Sequence, residues 1–235
     1  MTAEEIVAEI EPQGSESYRK ILRNHGAQDP VLGVKIEYLK KIEKRVKKDY
    51  QLALDLYDTG IYDAMYLAGL IADDEKMTKK DLRKWVEKAN CYSLREYTVT
   101  WVTAHSTHGW DMAREWIESK KESVASCGWA VFGGLVAITE DSDLDVKELK
   151  LLLKRVEKTI HEQPNRVRYQ MNGFVIAVGS YVKELTELAL ATAGKIGTVT
   201  VNMGDTACKV PDAAAYIEKI RARGTIGKKK KTLKC

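Results

Sequence analysis

The sequence predicts an all-α fold of stacked helix pairs, on three observations. Apolar residues recur at three and four positions along nearly the whole chain, the spacing of one helix face. Leu, Ala, Lys, Glu and Ile dominate, and only 4 prolines interrupt 235 residues, which favours helix. A charged amphipathic segment is followed by a more apolar one three times in succession. A pair of that kind cannot bury its apolar face alone, so neighbouring pairs must stack.

The elements follow in order. Ser15 or Ser17 can cap a helix through SYRKILRNHG, with Gly26 as its stop. Beyond Asp29-Pro30, VLGVKIEYLKKIEKRVKK sets Tyr38, Leu39, Ile42 and Val46 on one stripe beside a basic face. QLALDLYDTG reads as a short helix closed by Gly60, and YDAMYLAGLIA as a more apolar one. Thr78 caps KKDLRKWVEKA, the first helix of the pair completed by SLREYTVTWVTAH. WDMAREWIESK pairs with VASCGWAVFGGLVAI, and VKELKLLLKRVEKTI with RYQMNGFVIAVGSYV; a fourth pair begins at VKELTELALATAGKI. Trp85 and Trp116 hold similar places in successive first helices, and a period of roughly 30 to 45 residues marks a HEAT-like solenoid. The end departs from this rhythm. TVTVNM reads as a short strand or extended loop, Asp212 caps one more helix, and KKKKTLKC reads as a disordered basic tail. The expected division is residues 1–195 as a HEAT-like repeat solenoid and 196–235 as a C-terminal extension with one helix and a basic tail, packed on or continuous with the solenoid.

Several function classes are set aside by what the chain contains. MTAEEIVAEIEPQG is acidic without an apolar core, and no apolar run approaches the roughly 20 residues of a membrane span, so a cytoplasmic protein with no membrane partner is expected. Cys91, Cys127, Cys208 and Cys235 form no CxxC pair and read as thiols in a reducing compartment. His105 and His108 share a helix face but lack a third ligand nearby, so no metal site is expected. FGG at Phe132–Gly134 lies inside a helix pattern and reads as close packing; no phosphate loop, GxSxG or HExxH motif occurs, and no cofactor is expected.

The net charge of +4 is mild, and its distribution is more informative. Lysine and arginine cluster at 40–48, at 76–88 and at Lys228, Lys229, Lys230 and Lys231. Arg166, Arg168 and Tyr169 open an apolar second helix, and Tyr92 and Arg95 open an earlier one at a comparable place. Equivalent positions of a solenoid line one side, and cations mixed with aromatics suit phosphates and bases. The same residues equally read as arginines satisfying neighbouring glutamates and tyrosines at the edge of the core.

SYRKILRNHGAQDPVLGVKIEYLKKIEKRVKK, with Tyr18 and Leu32-Gly33-Val34-Lys35, resembles the opening of the AlkD-like superfamily of DNA alkylation repair proteins. LDLYDTGIYDAMYLAGLI is similar to that family's next helix pair, and the resemblance spans roughly residues 15–190. It implies double-stranded DNA held on a concave, positively charged surface, by Lys35, Tyr92, Arg95, Arg166, Arg168, Tyr169 and Lys228–Lys231. It also implies hydrolytic release of N3- or N7-alkylated purines, in which an aspartate stabilises an oxocarbenium-like transition state. In the segment where the family carries a tryptophan pair and that aspartate, this chain reads Asn90-Cys91 and Arg95. Cys127 and Phe174 fall near the places of the family's arginine and third tryptophan. Glu96 and Cys91 are therefore the candidate catalytic groups, in a divergent glycosylase expected to be monomeric. The alternative is a catalytically inactive HEAT-repeat scaffold for a protein or nucleic-acid partner.

Overall fold

A computed structural model describes residues 1–234, in which every regular element is helical and no strand forms. The helices are α1 (Ala3–Ile10), α2 (Glu16–Asn24), α3 (Ile36–Val46), α4 (Tyr50–Asp58), α5 (Tyr62–Ile71) and α6 (Lys79–Lys88). A π-helical segment, Leu94–Val99, runs into α7 (Thr100–His105). Then come α8 (Gly109–Trp116), α9 (Glu122–Ile138), α10 (Val146–Thr159), α11 (Asn165–Tyr181), α12 (Thr186–Ile196) and α13 (Ala213–Ala222). The chain forms two compact units: residues 1–112 with 204–206 and Lys234, and residues 113–203 with 207–233. No helix is long and apolar enough to cross a membrane among the described residues.

The first unit is started by side-chain caps. Thr2 and Thr78 form capping boxes with Glu5 and Asp81, and Ser15 and Asp49 accept from the amides of Tyr18 and Leu52. α5 is buried on every side, as its uninterrupted apolar run requires. Its one carboxylate, Asp63, accepts the amides of Leu32 (2.7 Å), Gly33 (3.3 Å) and Val34 (2.7 Å), which pins the Leu-Gly-Val turn onto the helix. Tyr57 of α4 stacks on Trp85 of α6 at 4.0 Å and donates to its carbonyl, joining consecutive first helices.

In the second unit the two longest helices, α9 and α11, lie against each other, with Trp129, Phe132 and Phe174 meeting edge to face. Gly128 lets α9 approach the α8 end: a Cβ there would lie 2.7 Å from the Ile117 amide. The stretches 197–203 and 207–211 form no regular element. Asn165 of α11 brackets the first through the amide and carbonyl of Asn202, and Asn172, about two turns on along the same face, donates to the Pro211 carbonyl in the second. Asp212 caps α13, as its sequence position predicts.

Both units use the first-helix charges in the same way. Lys84 and Lys88 of α6 reach Asp58 of α4, and Lys79 reaches Asp111 of α8. Arg114 of α8 makes a double contact with Glu148 of α10; Arg155 of α10 returns to Glu118, and Lys195 of α12 to Glu157. These partners lie about one repeat apart, so the 76–88 cluster ties repeat to repeat.

The 228–234 segment corrects the expectation of a disordered basic tail. In the second unit the Gly227 amide donates to the Ser180 carbonyl near the end of α11, and the Lys230 amide donates to Ala137 near the end of α9. The Lys229 ammonium sits 2.7 Å from Asp141 and 3.1 Å from the Val136 carbonyl. In the first unit Lys234 donates to the carbonyl of Ala72, the C-cap of α5, and pairs with Asp74 at 2.9 Å. Cations at helix C-termini meet carbonyls that lack intrahelical partners and the negative end of the helix dipole. The expectation for Cys235 lies outside the described residues.

Candidate nucleic-acid interface

The second-helix residues divide between the two units. In the first, Lys35 is exposed at the N-cap of α3. Tyr92 is half-buried, its ring against Gly26 and its hydroxyl 3.5 Å from His25 Nδ1; a Cβ on Gly26 would strike that ring at 2.7 Å. Arg95 is half-buried and donates to the carbonyl of Ala89, closing the α6 end. Its charge is thus partly employed in holding its own loop.

Neither candidate catalytic group is presented openly. Cys91 is buried, with its Sγ 3.2 Å from Ser93 Oγ, and burial pushes its thiol above the ordinary range, away from the thiolate a nucleophile requires. Glu96 is 8% exposed, on the buried side of the π-helical segment. Burial likewise pushes Asp63 upward, and its oxygens are already occupied by the three amides.

In the second unit, α11 brings Arg166, Arg168 and Tyr169 onto its first two turns, all half-buried. The Arg166 guanidinium lies 4.5 Å from the Tyr169 ring centroid, a cation–π contact. The Arg166 amide donates to Glu122 at 2.6 Å, so that carboxylate occupies the positive end of α11. Arg168 differs from the arginines of the first helices. Its Nε is buried without a hydrogen-bond partner, and no carboxylate pairs with it among the described residues. An arginine cannot shed its charge, so Arg168 keeps a half-buried cation that no carboxylate neutralises among the described residues.

The lysine run contributes less free charge than its sequence promises. Lys229 is only 9% exposed at its side chain and is spent on Asp141, whereas Lys228, Lys230 and Lys231 remain exposed. Lys230 also lies 5.8 Å over the Tyr181 ring. Sequence reasoning passed over Tyr97 and Glu122. Tyr97 sits in a π-helical register that leaves no sequence signature, and Glu122 reads as an ordinary first-turn acid.

A family model described as DNA alkylation repair enzyme matches residues 3–217. The uncharacterized protein Lin0241 of Listeria innocua serovar 6a is 34% identical over 228 residues, covering 95% of this chain and 99% of its own. The uncharacterized protein Lmo0209 of Listeria monocytogenes serovar 1/2a is similar to the same extent. A solved structure matches over the full length of both chains, at 34% identity and a TM-score of 0.93. It is described as a new family of proteins related to the HEAT-like repeat DNA glycosylases, with affinity for branched DNA structures. With an all-helical HEAT-like fold and a family match over nearly its whole length, the chain belongs to the DNA alkylation repair enzyme family.

Proposed function

We propose that this protein binds branched DNA, gripping the phosphates of its duplex arms with cationic second-helix side chains, and does not release bases. The observation that carries the reading is Arg168: its guanidinium has no carboxylate among the described residues, whereas first-helix arginines such as Arg114 and Arg155 are ion-paired. Lys35 in the first unit and Lys228, Lys230 and Lys231 in the second add exposed charge. Preference for a branch rests on the full-length likeness to the relative with that affinity. The absence of base release rests on the buried state of Glu96 and the raised thiol of Cys91. A cationic leaving base needs an anion at the sugar, and the carboxylates on these helices are buried or already bonded to amides.

The test is binding of a three-way junction and of a linear duplex across a salt series. Arg168→Ala is expected to lower the slope of log affinity against log salt by about one unit, whereas Arg114→Ala leaves it unchanged. Equal slopes for wild type and Arg168→Ala would reject the placement. No binding of either DNA would leave the fold as a protein-interaction scaffold.

A further inference from the structure

Tyr97 is one of the exposed large apolar side chains among the described residues. The other exposed ones are Met1, Ile21 of α2, Leu151 of α10, Leu188 of α12 and Tyr216 of α13, at the N-terminus or on other helices. Tyr97 is 52% exposed, yet its neighbours Glu96 and Thr98 are buried. It stands on the π-helical segment, a rare register that is frequent at functional sites.

The register is built in on both sides. The Thr100 amide and hydroxyl both reach back to the Arg95 carbonyl, five residues earlier. On α5, Gly69 leaves room for the widened turn; a Cβ there would lie 2.4 Å from the Thr98 methyl. The Tyr97 ring leans on Trp101, at 6.1 Å and 52°, and Trp101 meets Tyr66 edge-on at 5.5 Å. A buried aromatic, itself braced by a second, thus supports a half-exposed ring and leaves it little rotamer freedom to lose.

A flat ring held this way fits a flat, apolar partner. In continuous duplex DNA the base faces are covered by their stacked neighbours. At a branch the stacking is interrupted and a base face is open. We propose that Tyr97 is a stacking platform for the exposed base at a DNA branch point, and so a determinant of branch preference. This rests on the DNA-binding reading above, but on different residues. An apolar peptide is the competing occupant.

The experiment uses the full chain with a three-way junction carrying 2-aminopurine at the branch, and a linear duplex carrying it internally. Wild type should quench the junction probe on binding. Tyr97→Ala should lose that quenching and weaken junction binding about tenfold, toward the affinity for duplex, while Tyr97→Trp restores both. Gly69→Ala, which crowds the π-helical turn from behind, should reduce the quenching with Tyr97 still present. Unchanged quenching and affinity in Tyr97→Ala would overturn the stacking role, and so would an equal loss for both DNAs. Wild type that binds neither DNA would remove the nucleic-acid reading itself, whereas a duplex-binding wild type with an unquenched junction probe would overturn the platform alone.

Discussion

Replacing Lys234 by Met tests the packing of the C-terminal segment most directly. The Lys234 and Asp74 side chains are 13% and 7% exposed, 2.9 Å apart, and Lys234 also donates to the Ala72 carbonyl. Met keeps the apolar stem and removes only the ammonium. Breaking a buried pair from one side typically costs about 3–5 kcal/mol, because the remaining charge has no counterion. Some water reaches Lys234, so about 3 kcal/mol is expected, or roughly 6–12 °C in Tm for a chain of this size. The loss has a pH signature. Burial holds the Asp74 carboxyl above its ordinary range, with Lys234 opposing the rise. A raised carboxyl binds a proton more readily folded than unfolded, so its penalty is full above the folded pKa, shrinks as pH falls below it and is gone below the unfolded pKa. Removing Lys234 raises that pKa further. The deficit of Lys234→Met should therefore be largest in mildly alkaline buffer and shrink on acidification. Adding Asp74→Asn should recover much of it, in a cycle with a coupling of about 2 kcal/mol. Thermal unfolding at several pH values measures all of this. A Tm within a degree of wild type at pH 8 would refute the buried pair.

Two further outcomes are expected. Asp63→Ala leaves the Gly33 and Val34 amides buried without their acceptor and should lower unfolding free energy by about 3 kcal/mol, with Asp63→Asn losing roughly half as much; urea titration decides, and a loss under 1 kcal/mol would mean the Leu-Gly-Val turn holds itself. Incubation with N-methylated duplex DNA should release no more N7-methylguanine or N3-methyladenine with wild type than with Glu96→Gln; release by wild type that Glu96→Gln abolishes would show that Glu96 reaches the sugar after all.

Local features were legible in the sequence because their causes are local. Thr78 with Asp81, Ser15 and Asp212 announce helix starts through groups three residues away, and the structure uses each of them. The alternation of charged and apolar helices follows from burial of α5 and α9 on all sides. The tail misled because a run of lysines carries no record of carbonyls that lie 93 or 162 residues earlier, at Val136 and Ala72. The π-helical register was invisible for another reason. It changes the face of Tyr97 by inserting one residue into a turn, which leaves the apolar spacing within the tolerance of a helix pattern. Arginine pairing lay between these extremes. The offsets of 34 for Arg114–Glu148 and 37 for Arg155–Glu118 are close to the repeat length, so charge complementarity at one repeat's distance was a usable signal.

The pairing of Asp74 with Lys234 also sets an order of events during synthesis. Ala72 and Asp74 are made early, but the ammonium that serves both follows Ala72 by 162 residues. Chains fold from the N-terminus as they emerge. The end of α5 and the carboxylate beside it must therefore wait, hydrated and incompletely packed, while the second unit is still being translated. Until Lys234 arrives, the nascent first unit lacks the buried ion pair and the carbonyl contact that complete the α5 end.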